Sequence, residues 1–80
     1  MDCVLKNVKA FYKEVGKRIC SARKSRSPRL TQQALGERVS LTRTSITNLE
    51  KGRQQILVHT LVDIAKALKV DVSLLLPLQS

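Results

Sequence analysis

The sequence predicts an all-α domain, and three observations carry that reading. Val8, Tyr12, Val15, Ile19 and Ala22 recur at steps of four, three, four and three, which is one face of a helix. Two short segments, 32–39 and 43–51, each follow a threonine placed as an N-cap; Ser40-Leu41 connects them and Gly52 stops the second. Leu61, Ile64, Ala65, Leu68, Val72 and Leu75 then supply a further core face. Eighty residues leave room for one domain, able to bury about 60–65% of its unfolded surface. A hydrophobic fraction of 42% marks it as globular.

In the first element Lys9, Lys13, Lys17, Arg18 and Lys24 fall mostly off the apolar face, so the helix carries a basic surface. That surface reads equally as a solvated face or as a strip that meets phosphate. Gly16 sits mid-pattern, where it weakens a continuous helix by about 1 kcal/mol and allows a break. Ser25-Arg26-Ser27-Pro28-Arg29 is the strong loop signal, since proline disfavours helix in the residue before it. Thr31 then caps a helix beginning at Gln32, with Leu35 and Val39 facing inward together. The interior glycine, Gly36, points to close approach by a second helix. Thr42 caps the next helix, in which Ile46 and Leu49 face the core while Arg43, Thr44, Thr47, Asn48 and Lys51 occupy another side.

Charge narrows the function. Fifteen Lys and Arg against six Asp and Glu leave +9, of which +7 lies in residues 1–29 and +2 in residues 30–80. Such an excess calls for a polyanion, nucleic acid before an anionic membrane surface. With Phe11 and Tyr12 the only aromatics, modules that stack single-stranded bases on aromatic platforms are disfavoured. Cys3 and Cys20 make no disulfide framework, and with His59 as the single histidine they match no zinc pattern, so neither metal nor cofactor is expected. No Ser–His–Asp or Cys–His arrangement is credible and the glycines at 16, 36 and 52 form no phosphate loop, which argues against an enzyme. The N-terminus lacks the pattern of a signal peptide, and Leu74-Leu75-Leu76 falls far short of a membrane span. A soluble cytoplasmic, nucleoid-associated protein with reduced thiols is the expectation.

The polar stripe on the helix at 43–51 contains no acid; Glu50 lies off it, towards the body of the domain. Arg43 offers a fork donor, Asn48 a bidentate amide, and Thr44 and Thr47 hydroxyls with methyls. Those groups read base edges in a major groove: arginine to guanine, asparagine to adenine, threonine to a thymine methyl. A surface meant only for solvation would mix Glu with Lys. Residues 31–52, TQQALGERVSLTRTSITNLEKG, resemble the helix-turn-helix of the Cro/phage-repressor (XRE) family. The likeness continues through His59–Leu68 and Val70–Val72, and reaches back to Val15–Ile19 and Ala22–Lys24.

The resemblance implies a compact five-helix repressor-like domain at 15–78, binding duplex DNA as a symmetric homodimer on a palindromic operator. Residues 1–14 would be an extension that lengthens the first helix, precedes it or joins the dimer. Position by position, Gln32 would contact a phosphate or brace the residue at Arg43, and Thr42 would bond a phosphate. Arg43, Thr44, Thr47 and Asn48 would meet base edges, Lys51 and Arg53 the backbone. Arg23 and Glu50 match a helix-to-helix ion pair. The implied function is sequence-specific transcriptional regulation, as a repressor.

Departures from the family pattern are informative. Ser40 and Lys69 stand where glycine is usual, so a left-handed backbone at Ser40 would carry a cost. The longer loop adds Arg26 and Arg29, which either touch DNA backbone or are solvated. Ile56 and Leu57 replace the usual Pro-Ser and cap a helix poorly, leaving the start of the fourth helix open. Ile56, Leu57, Leu74, Leu76 and Leu78 exceed what a monomer surface needs and suit a two-fold contact, with extra local core as the alternative. A second reading is a DNA-binding antitoxin or accessory subunit acting mainly through a protein partner. A peripheral membrane binder using the basic first helix ranks last.

Overall fold

Four α-helices follow one another: α1 Val8–Ser25, α2 Gln32–Arg38, α3 Arg43–Glu50 and α4 Val58–Leu68. A 3-10 turn, Val72–Leu75, stands where the fifth helix is expected. The structure, a computed structural model, describes residues 8–26 and 28–77, and no strand occurs among them. The fifth segment stays short for a local reason. Asp71 accepts a hydrogen bond from the Ser73 N–H at 3.0 Å to start the turn, and that bond holds its carboxyl below the ordinary aspartate range. Pro77 ends it by forcing Leu76 into extended backbone, at φ −102° and ψ 133°.

α1 runs unbroken through Gly16, against the expectation that it could break there. The glycine is buried because the end of α3 crosses it: a Cβ would sit 2.5 Å from the Glu50 carbonyl oxygen and as tightly against that of Leu49. Gly36 also meets close neighbours, and a Cβ there would lie 3.4 Å from Cγ1 of Ile46 on α3. It would lie 2.5 Å from the carbonyl oxygen of Leu41, in the connector. The connector turns sharply enough to let the Leu41 N–H donate to the Gly36 carbonyl at 2.8 Å, with Ser40 at φ 61°. A left-handed serine costs about 1–2 kcal/mol.

The core gathers Val15 and Ile19 from α1, Leu35 from α2, Ile46 and Leu49 from α3, Leu61, Ile64, Ala65 and Leu68 from α4, and Leu75 from the turn. Each large aliphatic among them contributes about 1.5–3 kcal/mol by leaving water. Leu30, adjoining the loop, is buried with them. α4 begins at Val58 with Leu57 in the N-cap position and no side-chain cap bond. Its other end is better satisfied: Lys69 turns left-handed at φ 58°, and the Val70 N–H reaches the Ala65 carbonyl at 3.0 Å. Arg26 donates to the Ala67 carbonyl at 2.8 Å. The extra loop arginine thus ties its loop to α4 through one of its five donors.

Candidate nucleic-acid interface

α2 and α3 are each capped by a threonine. The Thr31 hydroxyl accepts from the Ala34 N–H at 3.0 Å, and the Thr42 hydroxyl from the Ser45 N–H at 3.0 Å. Capping leaves α3 a short, well-ended rod of eight residues, about 12 Å long at 1.5 Å per residue. Ile46 and Leu49 pin its inner side to the core. On the outer side Arg43, Thr44 and Lys51 are exposed, and Thr47 and Asn48 are half-buried. α3's own carboxylate, Glu50, is buried, so the outer side carries no negative charge. Arg53 is exposed in the turn beyond Gly52.

Glu50 is consumed by a bidentate pair with Arg23 of α1, Nε to Oε2 at 2.7 Å and Nη2 to Oε1 at 3.0 Å. Both side chains are nearly dry, at 8% and 5% exposure. The remaining Arg23 donors reach the Leu30 carbonyl at 3.0 Å and the Cys20 sulfur at 3.6 Å. Hydrogen bonding to Glu50 holds the Arg23 guanidinium above its ordinary pKa. No buried side-chain nitrogen or oxygen among the described residues lacks a partner. That completeness matters, because a desolvated ion pair is favourable only when its remaining donors and acceptors are met.

Gln32 bridges α2 and α3. Its amide nitrogen donates to Glu50 Oε1 at 3.0 Å and its oxygen accepts from the Thr47 hydroxyl at 3.0 Å. The side chain therefore braces α2 against α3 through Thr47 and Glu50, using one of its two amide N–H donors. Thr47 has the carbonyl of Arg43 as a second acceptor at 3.0 Å. Its hydroxyl is turned to the protein, which leaves its methyl as the group a base could meet. The Thr42 hydroxyl also donates to the Ser45 hydroxyl oxygen at 3.1 Å, so both its proton and its oxygen serve the cap.

Arg29, Thr31, Gln32, Gln33 and Arg43 share one concavity with Arg23 at the N-terminal ends of α2 and α3. Arg29 is exposed there, in contrast to the internally used Arg26. The Gln32 bridge and the burial of Leu30 escaped the sequence reading, because each depends on partners distant in the chain. Ile56 and Leu76 pack half-buried against the domain's own core. Leu57 and Leu74 remain exposed, at 66% and 61%, and are joined by Val58 at 80%. Leu78 and Cys3 lie outside the described residues. Among the described residues, no group of His, Cys, Asp and Glu could hold a metal ion, and no helix is long and apolar enough to cross a membrane.

A sequence model of the helix-turn-helix family matches residues 21–75. Among solved structures, the chain is similar to the restriction-modification controller protein C.AhdI from Aeromonas hydrophila, with a TM-score of 0.76 and 22% identity over 84% of this chain and 94% of that one. At that identity the likeness concerns the fold. No curated protein matches the chain in sequence.

Proposed function

The chain belongs to the helix-turn-helix family of the Cro/phage-repressor (XRE) type, and from that premise we propose how it reads DNA. It is a DNA-binding transcription regulator. In this reading α3 enters the major groove of duplex DNA N-terminus first, and Arg43, Thr44 and Asn48 read base edges with the Thr47 methyl beside them. Lys51, Arg53 and Arg29 hold the backbone, and the positive N-terminal ends of α2 and α3 favour the same phosphates. The protein acts as a repressor by occupying its operator, as a homodimer whose contact includes Leu57, Val58 and Leu74.

One observation carries the reading: α3 presents an outer side free of acid, while its only carboxylate is locked inside with Arg23. An α-helix about 10–12 Å across its side chains also fits a major groove about 12 Å wide. Selection of bound sites from random duplexes tests it, and the recovered half-site and its symmetry are the expected result. On that site Arg43→Ala and Asn48→Ala are each expected to lose about 1–3 kcal/mol and to relax preference at one base pair. Lys51→Ala is expected to weaken all sequences about equally. An unchanged ratio of specific to random-sequence binding in both Arg43→Ala and Asn48→Ala would show that another surface reads the DNA.

A further inference from the structure

Gly52 marks a close crossing that reading bases with α3 does not by itself require. Its φ is 72°, and a Cβ there would fall 2.6 Å from the Cα of Lys13 and 2.8 Å from its nitrogen. The backbone of α1 therefore lies directly against the turn that follows α3. Lys9 and Lys13 sit four residues apart on α1, and so on one side of it. They line a single open groove together with Lys51, Gly52 and Arg53. All four cations are exposed, and none takes part in a salt bridge among the described residues. The nearby acid of α1, Glu14, is held by Arg18 at 3.1 Å. Four like charges around one groove repel one another in the free chain, and a polyanion relieves that repulsion.

We propose that this groove is a second anchoring site for the phosphodiester backbone of duplex DNA. Lys9 and Lys13 take phosphates beyond the base pairs that α3 reads, next to those held by Lys51 and Arg53. The proposal rests on the reading of α3 as the recognition helix, because the groove's position relative to DNA follows from it. Arg29 flanks the N-terminal end of α3 and the groove flanks its C-terminal end, so cations stand at both ends of the rod. The first two turns of α1 thus extend the footprint outward from each half-site. Their contribution is electrostatic and blind to sequence.

The test is the salt dependence of binding by the full chain to a labelled duplex that carries the selected site with long flanks. Each phosphate contact adds about 0.9 to the slope of log affinity against log salt. The K9Q/K13Q variant is therefore expected to lower the slope by about 1.8 per protomer, and so by about 3.6 for a two-fold pair on the selected site, with the ranking of base-pair substitutions intact. Both lysines are exposed, so the replacements leave the core untouched. K9R/K13R is expected to keep the wild-type slope. Trimming the flanks is expected to lower the wild-type slope and erase its difference from K9Q/K13Q. Equal slopes on the long duplex, with wild type still discriminating sites, would overturn the groove assignment alone. A wild-type chain with no site preference would overturn the reading of α3 beneath it. Preferential retention on phosphatidylserine vesicles over duplex would give the groove to a membrane and overturn the proposal.

Discussion

Gly16 shows how a residue can oppose local preference and still be required. In an exposed helix interior alanine would be favoured by about 1 kcal/mol. Here the added methyl would press on the Leu49 and Glu50 carbonyls, which are backbone and cannot swing away. Gly16→Ala is therefore expected to destabilise the domain by about 1–3 kcal/mol, as overpacking does. Urea unfolding would measure it, and a midpoint equal to or above that of wild type would mean that α1 and α3 stand farther apart. Ser40 and Lys69 make the opposite compromise, adopting φ of 61° and 58° without glycine's freedom. The sequence marks both positions as unusual; that both backbones are left-handed follows from how the connector and the end of α4 must turn. Thr47 is a third instance. Its spacing puts it on the outer face of α3, yet its hydroxyl points to Gln32, because a half-buried hydroxyl seeks the nearest acceptor.

At the scale of elements, the positioning of α3 depends on its junctions with α1 and α2. Arg23, Glu50, Gln32 and Thr47 form one connected set of hydrogen bonds across the three helices. Removing one partner of a buried pair strands the other charge. Arg23→Ala is thus expected to cost about 3–5 kcal/mol, a large share of the 5–15 kcal/mol typical of a domain. Arg23→Lys is expected to be destabilising too, since an ammonium cannot reproduce the two-pronged contact. Thermal melts of both variants check this, and a wild-type melting temperature in Arg23→Lys would mean that charge alone sufficed. α1, α2 and α3 were legible because apolar spacing and capping threonines are local signals. α4 was legible in its core face but not in its start, because Leu57 offers no cap and packing sets the boundary.

For the whole molecule, the question is how one small domain obtains both specificity and control. In the proposed reading a single α3 meets one half-site, and a two-fold pair meets two, about 34–36 Å apart. Of the proposed dimer contact, Leu57 and Leu74 are exposed and Ile56 and Leu76 half-buried, and Val58 adds to the exposed apolar surface beside Leu57. The L57S/L74S variant is expected to sediment as a monomer at micromolar concentration and to lose affinity for paired half-sites while keeping that for a single one. Sedimentation of wild type as a monomer both on and off paired sites would remove the dimer. The sequence by itself determined the helical class, the two capped helices with their connector and the acid-free stripe, since periodicity, capping and charge are properties of neighbouring residues. Only the tertiary structure decided that Arg26 and Gln32 are used internally, that Gly16 and Gly52 admit α1 against the end of α3, and that Lys9 and Lys13 join Lys51 and Arg53. Those outcomes turn on contacts between segments far apart in the chain, where geometry and desolvation choose among partners that composition leaves equivalent.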